Sequence, residues 1–154
     1  MLFVTISPKE AKQYAYICTR LKSTVNKMSE ARKTLEAVAN TSFDKPFAKC
    51  MYMLTSESLQ CENEMRAQID SMICNDNEKQ QDAGKEKRMP VTKFSSIEGV
   101  CRYFEDAYLK SYRKLLKDKK FNTSLRNLMQ NHLRQFNASL MQMRLFNDVK
   151  TMAN

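Results

Sequence analysis

Glycine and proline are scarce in this chain, with 2 glycines and 3 prolines among 154 residues. Short strands joined by tight turns need both residue types, so a turn-rich β architecture is excluded. Tryptophan is absent, and there is a single histidine, His132. No glycine-rich phosphate loop, Cys-x-x-Cys pair or Ser-His-acid spacing occurs, which removes the usual signatures of nucleotide binding, structural zinc and nucleophilic catalysis. No segment approaches the roughly 20 consecutive apolar residues of a membrane span. Acidic residues are the minority, 17 against 26 basic, for a net charge of +9. Such a balance attracts anions weakly without selecting one. The cysteines number 5, an odd count, and are widely spaced. The reading is therefore no disulfide framework and a reducing cytoplasmic location. Met1 to Ile6 is apolar, but Pro8-Lys9-Glu10 follow at once and no basic segment precedes it, so no signal peptide is expected. The sequon Asn137-Ala-Ser139 falls inside a helical pattern and is read as chance.

What remains is helix-forming: 11 methionines with leucine, lysine, glutamine and glutamate. A length of 154 residues suits one domain with a real core. Ser7-Pro8-Lys9-Glu10 reads as a capped helix start, with Glu10 completing a capping box. Apolar or small residues then recur at Tyr14, Ile17, Leu21, Thr24, Met28, Ala31, Leu35 and Val38, the seam of a helix over about 8–39. Asp44 caps a second helix over about 44–74, with Pro46 tolerated in its first turn and a seam through Phe47, Met51, Leu54, Ser58, Cys61 and Met65. The stretch 75–95 is polar, of mixed charge and interrupted by Gly84 and Pro90, and reads as one long connection. Ser95-x-x-Glu98 is a second capping box. It opens a helix over about 96–117 with a seam through Ile97, Cys101, Phe104, Tyr108, Ser111 and Leu115. Asn122 caps the last helix, about 123–152, whose apolar face runs through Leu125, Met129, His132, Phe136, Ser139, Met143 and Phe146. The expected fold is all-α: a four-helix bundle of two hairpins, joined either by a crossover or by a simple antiparallel return.

The order of several segments carries a resemblance. Glu98-Gly-Val-Cys-Arg-Tyr-Phe-Glu105 precedes Tyr112-Arg-Lys-Leu, Leu125-Arg-Asn-Leu-Met-Gln and an amphipathic tail ending Leu145-Phe-Asn. Upstream, Phe43-Asp-Lys-Pro-Phe47 precedes the Glu-rich Ser56 to Glu64. This arrangement resembles an uncharacterised bacterial family of ferritin-like four-helix bundles. The resemblance implies a ferritin-like fold with a crossover between helices 2 and 3. It implies no activity, because that family has none established.

A di-iron centre on such a bundle needs a glutamate from each of two helices and Glu-x-x-His from each of the other two. One histidine cannot supply two such motifs, Met129 stands three residues before His132, and the last helix has Asp148 as its single acid. No di-iron centre and no cofactor are expected. A reduced metal set remains the competing reading, with Glu57, Glu62, Glu98, Glu105 and His132 as candidate ligands, Glu105 pairing with His132 in its mononuclear form. The favoured reading makes His132 a core residue hydrogen-bonded to a side chain across the bundle. Cysteines and methionines on the seams read as packing. A third reading is an anion-binding end built from Lys110, Arg113, Lys114, Lys117, Lys119 and Lys120. Aromatics do not interleave with that cluster apart from Tyr112 and Phe121, so nucleic acid is disfavoured as a partner. The expectation is a non-enzymatic structural, interaction or stress-associated protein of unidentified partner, with a homodimer through helices 1 and 4.

Overall fold

The computed structural model describes residues 7–42, 44–72 and 96–152, with side chains to 149 in the last segment. Its elements are α1 (Pro8–Thr41), α2 (Lys45–Ser71), α3 (Ile97–Phe104), a π-helical segment (Glu105–Leu109), α4 (Lys110–Leu116) and α5 (Thr123–Met152). The third rod is continuous through α3, the π segment and α4, so the described residues form four helical rods and no strand. Side-chain caps start each rod. Ser7 accepts from the Glu10 N–H at 3.2 Å, Asp44 from Phe47 at 3.2 Å and Asn122 from Leu125 at 2.8 Å. Each such cap is worth about 1 kcal/mol.

Three local expectations change. The third rod is capped by Ser96, which accepts from the Gly99 N–H at 3.1 Å, so Glu98 is released from the expected box and pairs with arginines instead. Helix 2 ends at Ser71, where the Met72 N–H turns back to the Ile69 carbonyl, rather than running to Cys74. The third seam also shifts. A π turn holds one residue more than an α turn, so Phe104, Tyr108 and Tyr112 stack successively into the core, each 0% exposed. Ser111 moves to the flank and donates back to the Ala107 carbonyl at 2.8 Å.

Residue pairs set the rod directions. Arg32 meets Glu62, and Cys18 meets Met72, so α1 and α2 are antiparallel. Arg20 meets Asp118 and the Met28 carbonyl meets Tyr108, which makes the third rod antiparallel to α1. His132 meets Glu64 and Ser139 meets Glu57, while Tyr112 meets His132 and Glu98 meets Arg144. α5 is therefore antiparallel to both α2 and the third rod. The order is up-down-down-up: α2 ends and α3 begins at opposite ends of the bundle. The connection read over 75–95 lies outside the described residues.

Around the bundle, α1 packs on α2 and the π segment, while α5 packs on α2, α3 and α4, so α1 and α5 stand at diagonal corners. Leucines 21, 35, 54 and 115 and methionines 28 and 51 fill the interior, each fully buried side chain contributing about 1.5–3 kcal/mol. Phe104 stacks on Tyr108 with ring centroids 4.2 Å apart, and Phe136 meets Phe104 edge-on at 4.9 Å. Cys50, Cys61 and Cys101 are in no disulfide, but Cys18 is disulfide-bonded. This corrects the expectation of no disulfide: an odd count constrains only how many cysteines can pair, while pairing itself depends on which ends the fold brings together.

Candidate functional site

Two polar layers cross the apolar interior. In the first, α2 carries Glu62, 1% exposed. α1 presents Arg32, whose Nε donates to Glu62 Oε2 at 2.8 Å, while its two terminal nitrogens donate to Glu36 at 2.7 Å and Ser29 at 3.3 Å. Burial draws the Arg32 pKa down, but the bonds to Glu62 and Glu36 outweigh it and hold the pKa above its ordinary value. The π turn adds Tyr108, whose hydroxyl lies 2.5 Å from the Met28 carbonyl and 3.1 Å from Glu62 Oε2. Burial, and next the Glu62 charge, push the Tyr108 phenol well above its usual range, so it remains a neutral donor. Glu62 Oε1 has no hydrogen-bond partner among the described residues.

The second layer is centred on His132, 2% exposed. Its Nδ1 lies 2.8 Å from the Tyr112 hydroxyl and its Nε2 lies 2.5 Å from Glu64 Oε2. A carboxylate only accepts, so Nε2 carries a hydrogen. Tyr112 then donates to Nδ1, because a second ring hydrogen would leave the buried phenol proton without an acceptor. The chain Tyr112–His132–Glu64 leads from a fully buried hydroxyl to a carboxylate whose side chain is 43% exposed. Burial above all raises the Tyr112 pKa, so this phenol stays protonated. Burial likewise pushes the neighbouring Cys61 thiol up to about 12, helped by Glu64, Glu57 and Glu62. Such a thiol is not a nucleophile at neutral pH.

The five metal-ligand candidates fall into separate partnerships. Glu57 accepts from Ser139 at 2.6 Å, Glu62 pairs with Arg32, and Glu98 and Glu105 share Arg144 at 3.0 and 2.5 Å. His132 and Glu105 do not pair: the first is committed to Tyr112 and Glu64, the second to Arg144. Among the described residues no three His, Cys, Asp or Glu side chains come together as a metal site. Sequence reasoning missed Arg32, Glu64 and Arg144 as partners. All three are ordinary surface-type residues on their own helices, and only the neighbouring rod makes them partly covered. Tyr112 was not on the expected seam; the π turn brings it into the core in place of Ser111.

The basic candidates sit on the surface. Lys110 is paired with Asp106 at 3.5 Å, both more than two-thirds exposed. Arg113, Lys114, Lys117, Lys119 and Lys120 are exposed. Asp118 in their midst is neutralised by Arg20 of α1 at 2.5 Å, and Tyr16 also donates to it at 3.2 Å. The Lys120 backbone N–H, with Arg20 and Tyr16 behind it, holds the Asp118 carboxyl below its ordinary pKa. Lys120 Nζ stands 4.3 Å from the Tyr16 ring centroid.

At the far end of the bundle α5 has a second, exposed apolar stripe: Met141, Leu145 and Val149, exposed by 64%, 57% and 65%. Phe146 and, on α2, Met53 extend it, and Lys45 and Lys49 rim the shallow groove between them. The helices 1 and 4 of the expected dimer are α1 and α5, which stand at diagonal corners of the bundle. No described helix is long and apolar enough to cross a membrane. Comparison with known proteins finds no matching family model, no matching curated protein and no matching solved structure.

Proposed function

We propose that this chain is a non-enzymatic, ferritin-like helical bundle without a di-iron centre, acting as a structural or interaction protein, of the stress-associated kind. The up-down-down-up order supports the ferritin-like reading, because that arrangement needs a crossover between its second and third helices. The observation that carries the interaction reading is the α5 stripe of Met141, Leu145 and Val149, one helical turn apart and solvent-facing. The occupant of this face is a second copy of the chain. A stripe centred on Leu145 is self-complementary under a two-fold axis: Met141 of one copy meets Val149 of the other in an antiparallel crossing. Dimerisation therefore runs through α5 and the adjoining face of α2 rather than through α1.

Sedimentation velocity tests this. The unmodified chain is expected as a dimer, and Leu145→Asp as a folded monomer. A monomeric unmodified chain at micromolar concentration ends the proposal. The metal-binding alternative draws on the partnerless Glu62 Oε1, though Arg32 already occupies the other carboxylate oxygen. Elemental analysis of protein purified without chelator separates the two readings, with a stoichiometric transition metal favouring the alternative.

A further inference from the structure

The sequence from Ala11 to Ser29 contains no acidic residue, and from Ala107 to Asn147 the single acid is Asp118. The fold lays the first stretch antiparallel against the 108–118 part of the second, through Arg20 to Asp118 and the Met28 carbonyl to Tyr108. On α1, Lys9, Lys12, Tyr16, Arg20 and Lys27 recur at steps of three and four, or a multiple, and so share one face. That row meets the α4–α5 connection through Tyr16 and Arg20, both bonded to Asp118. Asp118 is thereby consumed, and its side chain is 12% exposed. Arg113, Lys114, Lys117 and Lys119 are in no ion pair among the described residues and remain exposed around it. Neither half of this surface is complete alone: the lysines come from two rods, and the aromatic ring at their centre comes from α1. Tyr16 is 42% exposed with Lys120 Nζ 4.3 Å from its ring centroid, so a planar group lies against the ring by displacing that one lysine.

We propose that this end of the bundle binds single-stranded nucleic acid, with phosphates on the two lysine rows and a base against Tyr16. A positively charged track beside an open aromatic ring is the common chemistry of single-strand binding without sequence preference. A duplex keeps its base faces stacked and gives Tyr16 nothing to do. A lipid surface needs apolar residues among the cations. Among the described residues the exposed aliphatic and phenylalanine side chains gather on α5 and α2 at the opposite end, around Leu145 and Phe146.

The test is fluorescence anisotropy of a labelled oligothymidylate of about 20 nucleotides, titrated with the full chain at about 50 mM and about 150 mM salt. Binding is expected at the lower salt and should weaken about tenfold or more at the higher, as counterion release requires. Lys117→Glu with Lys119→Glu should weaken it about tenfold or more. Lys45→Glu with Lys49→Glu, an equal change in net charge at the far end, should stay within about threefold. Tyr16→Leu should cost about fivefold or more, with the helical circular-dichroism signal unchanged. The proposal is overturned by no binding at the lower salt, by equal losses from the two charge-reversed pairs, or by an unaffected Tyr16→Leu. A duplex bound more tightly than the single strand overturns it too, as do phosphatidylserine vesicles that retain the protein when the oligonucleotide does not.

Discussion

His132 illustrates how a lone polar side chain is held in an apolar interior. Both ring nitrogens are engaged, one by Tyr112 and the other by Glu64. Removing the imidazole alone leaves the buried Tyr112 hydroxyl without an acceptor, which costs about 1–3 kcal/mol beyond the lost packing. His132→Leu should therefore lower stability to urea strongly, and Tyr112→Phe by less. The double variant should recover part of the loss, a coupling that a cycle of the four proteins measures directly. Additive losses would mean that the pair is in contact without being coupled. Glu62 and Arg32 follow the same logic with charges: each makes the other tolerable, and removing one strands a buried ion. The expectation of a histidine bonded across the bundle came from burial alone. Glu64 as its partner could not be read, because position 64 carries no signature that distinguishes it from Glu57 or Glu62 until α5 is laid beside α2.

At the scale of elements, the third rod and α5 are clamped by Arg144 between Glu98 and Glu105. Hydrogen bonds from Arg144 chiefly hold the Glu98 carboxyl below its ordinary 4.5. A carboxyl lowered in the folded state binds fewer protons there than in the unfolded chain, so its contribution is present above the ordinary value and disappears as pH falls through the folded one. Arg144→Gln should accordingly flatten the loss of stability on acidification below about pH 4.5. The buried thiols act in the opposite direction. Burial raises Cys61 to about 12 and Cys101 to about 11 from an ordinary 9.0. Their stabilisation is complete below pH 9.0 and declines as pH rises toward those values. Thermal unfolding from pH 3 to 11 reads both limbs; a Cys61→Val variant that keeps the full alkaline decline would assign that decline to other groups, such as Tyr108. Helix starts were legible at this scale because Ser7, Asp44 and Asn122 act within one turn. The π turn was not, since an extra residue in a helix is decided by what its side chains meet.

Across the whole molecule, the arrangement of ends governs covalent and surface chemistry. α1 begins where α2 finishes, and Cys18 lies 3.9 Å from the Met72 sulfur there. With Cys18 disulfide-bonded, thiol titration of the denatured protein should count fewer thiols before reduction than after it, when all 5 react. A count of 5 without reductant would return the chain to the fully reduced state expected from its odd cysteine number. A disulfide that persists points toward an oxidising compartment rather than the cytoplasm. The chain's own order of residues was enough to determine helix as the conformation, the caps at Ser7, Asp44 and Asn122 and most of the seams of three rods, because caps and the 3.6-residue period are local and act within a few residues. The tertiary structure alone decided the up-down-down-up order, the partners of His132 and Glu62, the entry of Tyr112 into the core and the meeting of Tyr16 with the basic end. Each of these depends on which rods become neighbours, and that is settled by the packing of side chains far apart in the chain.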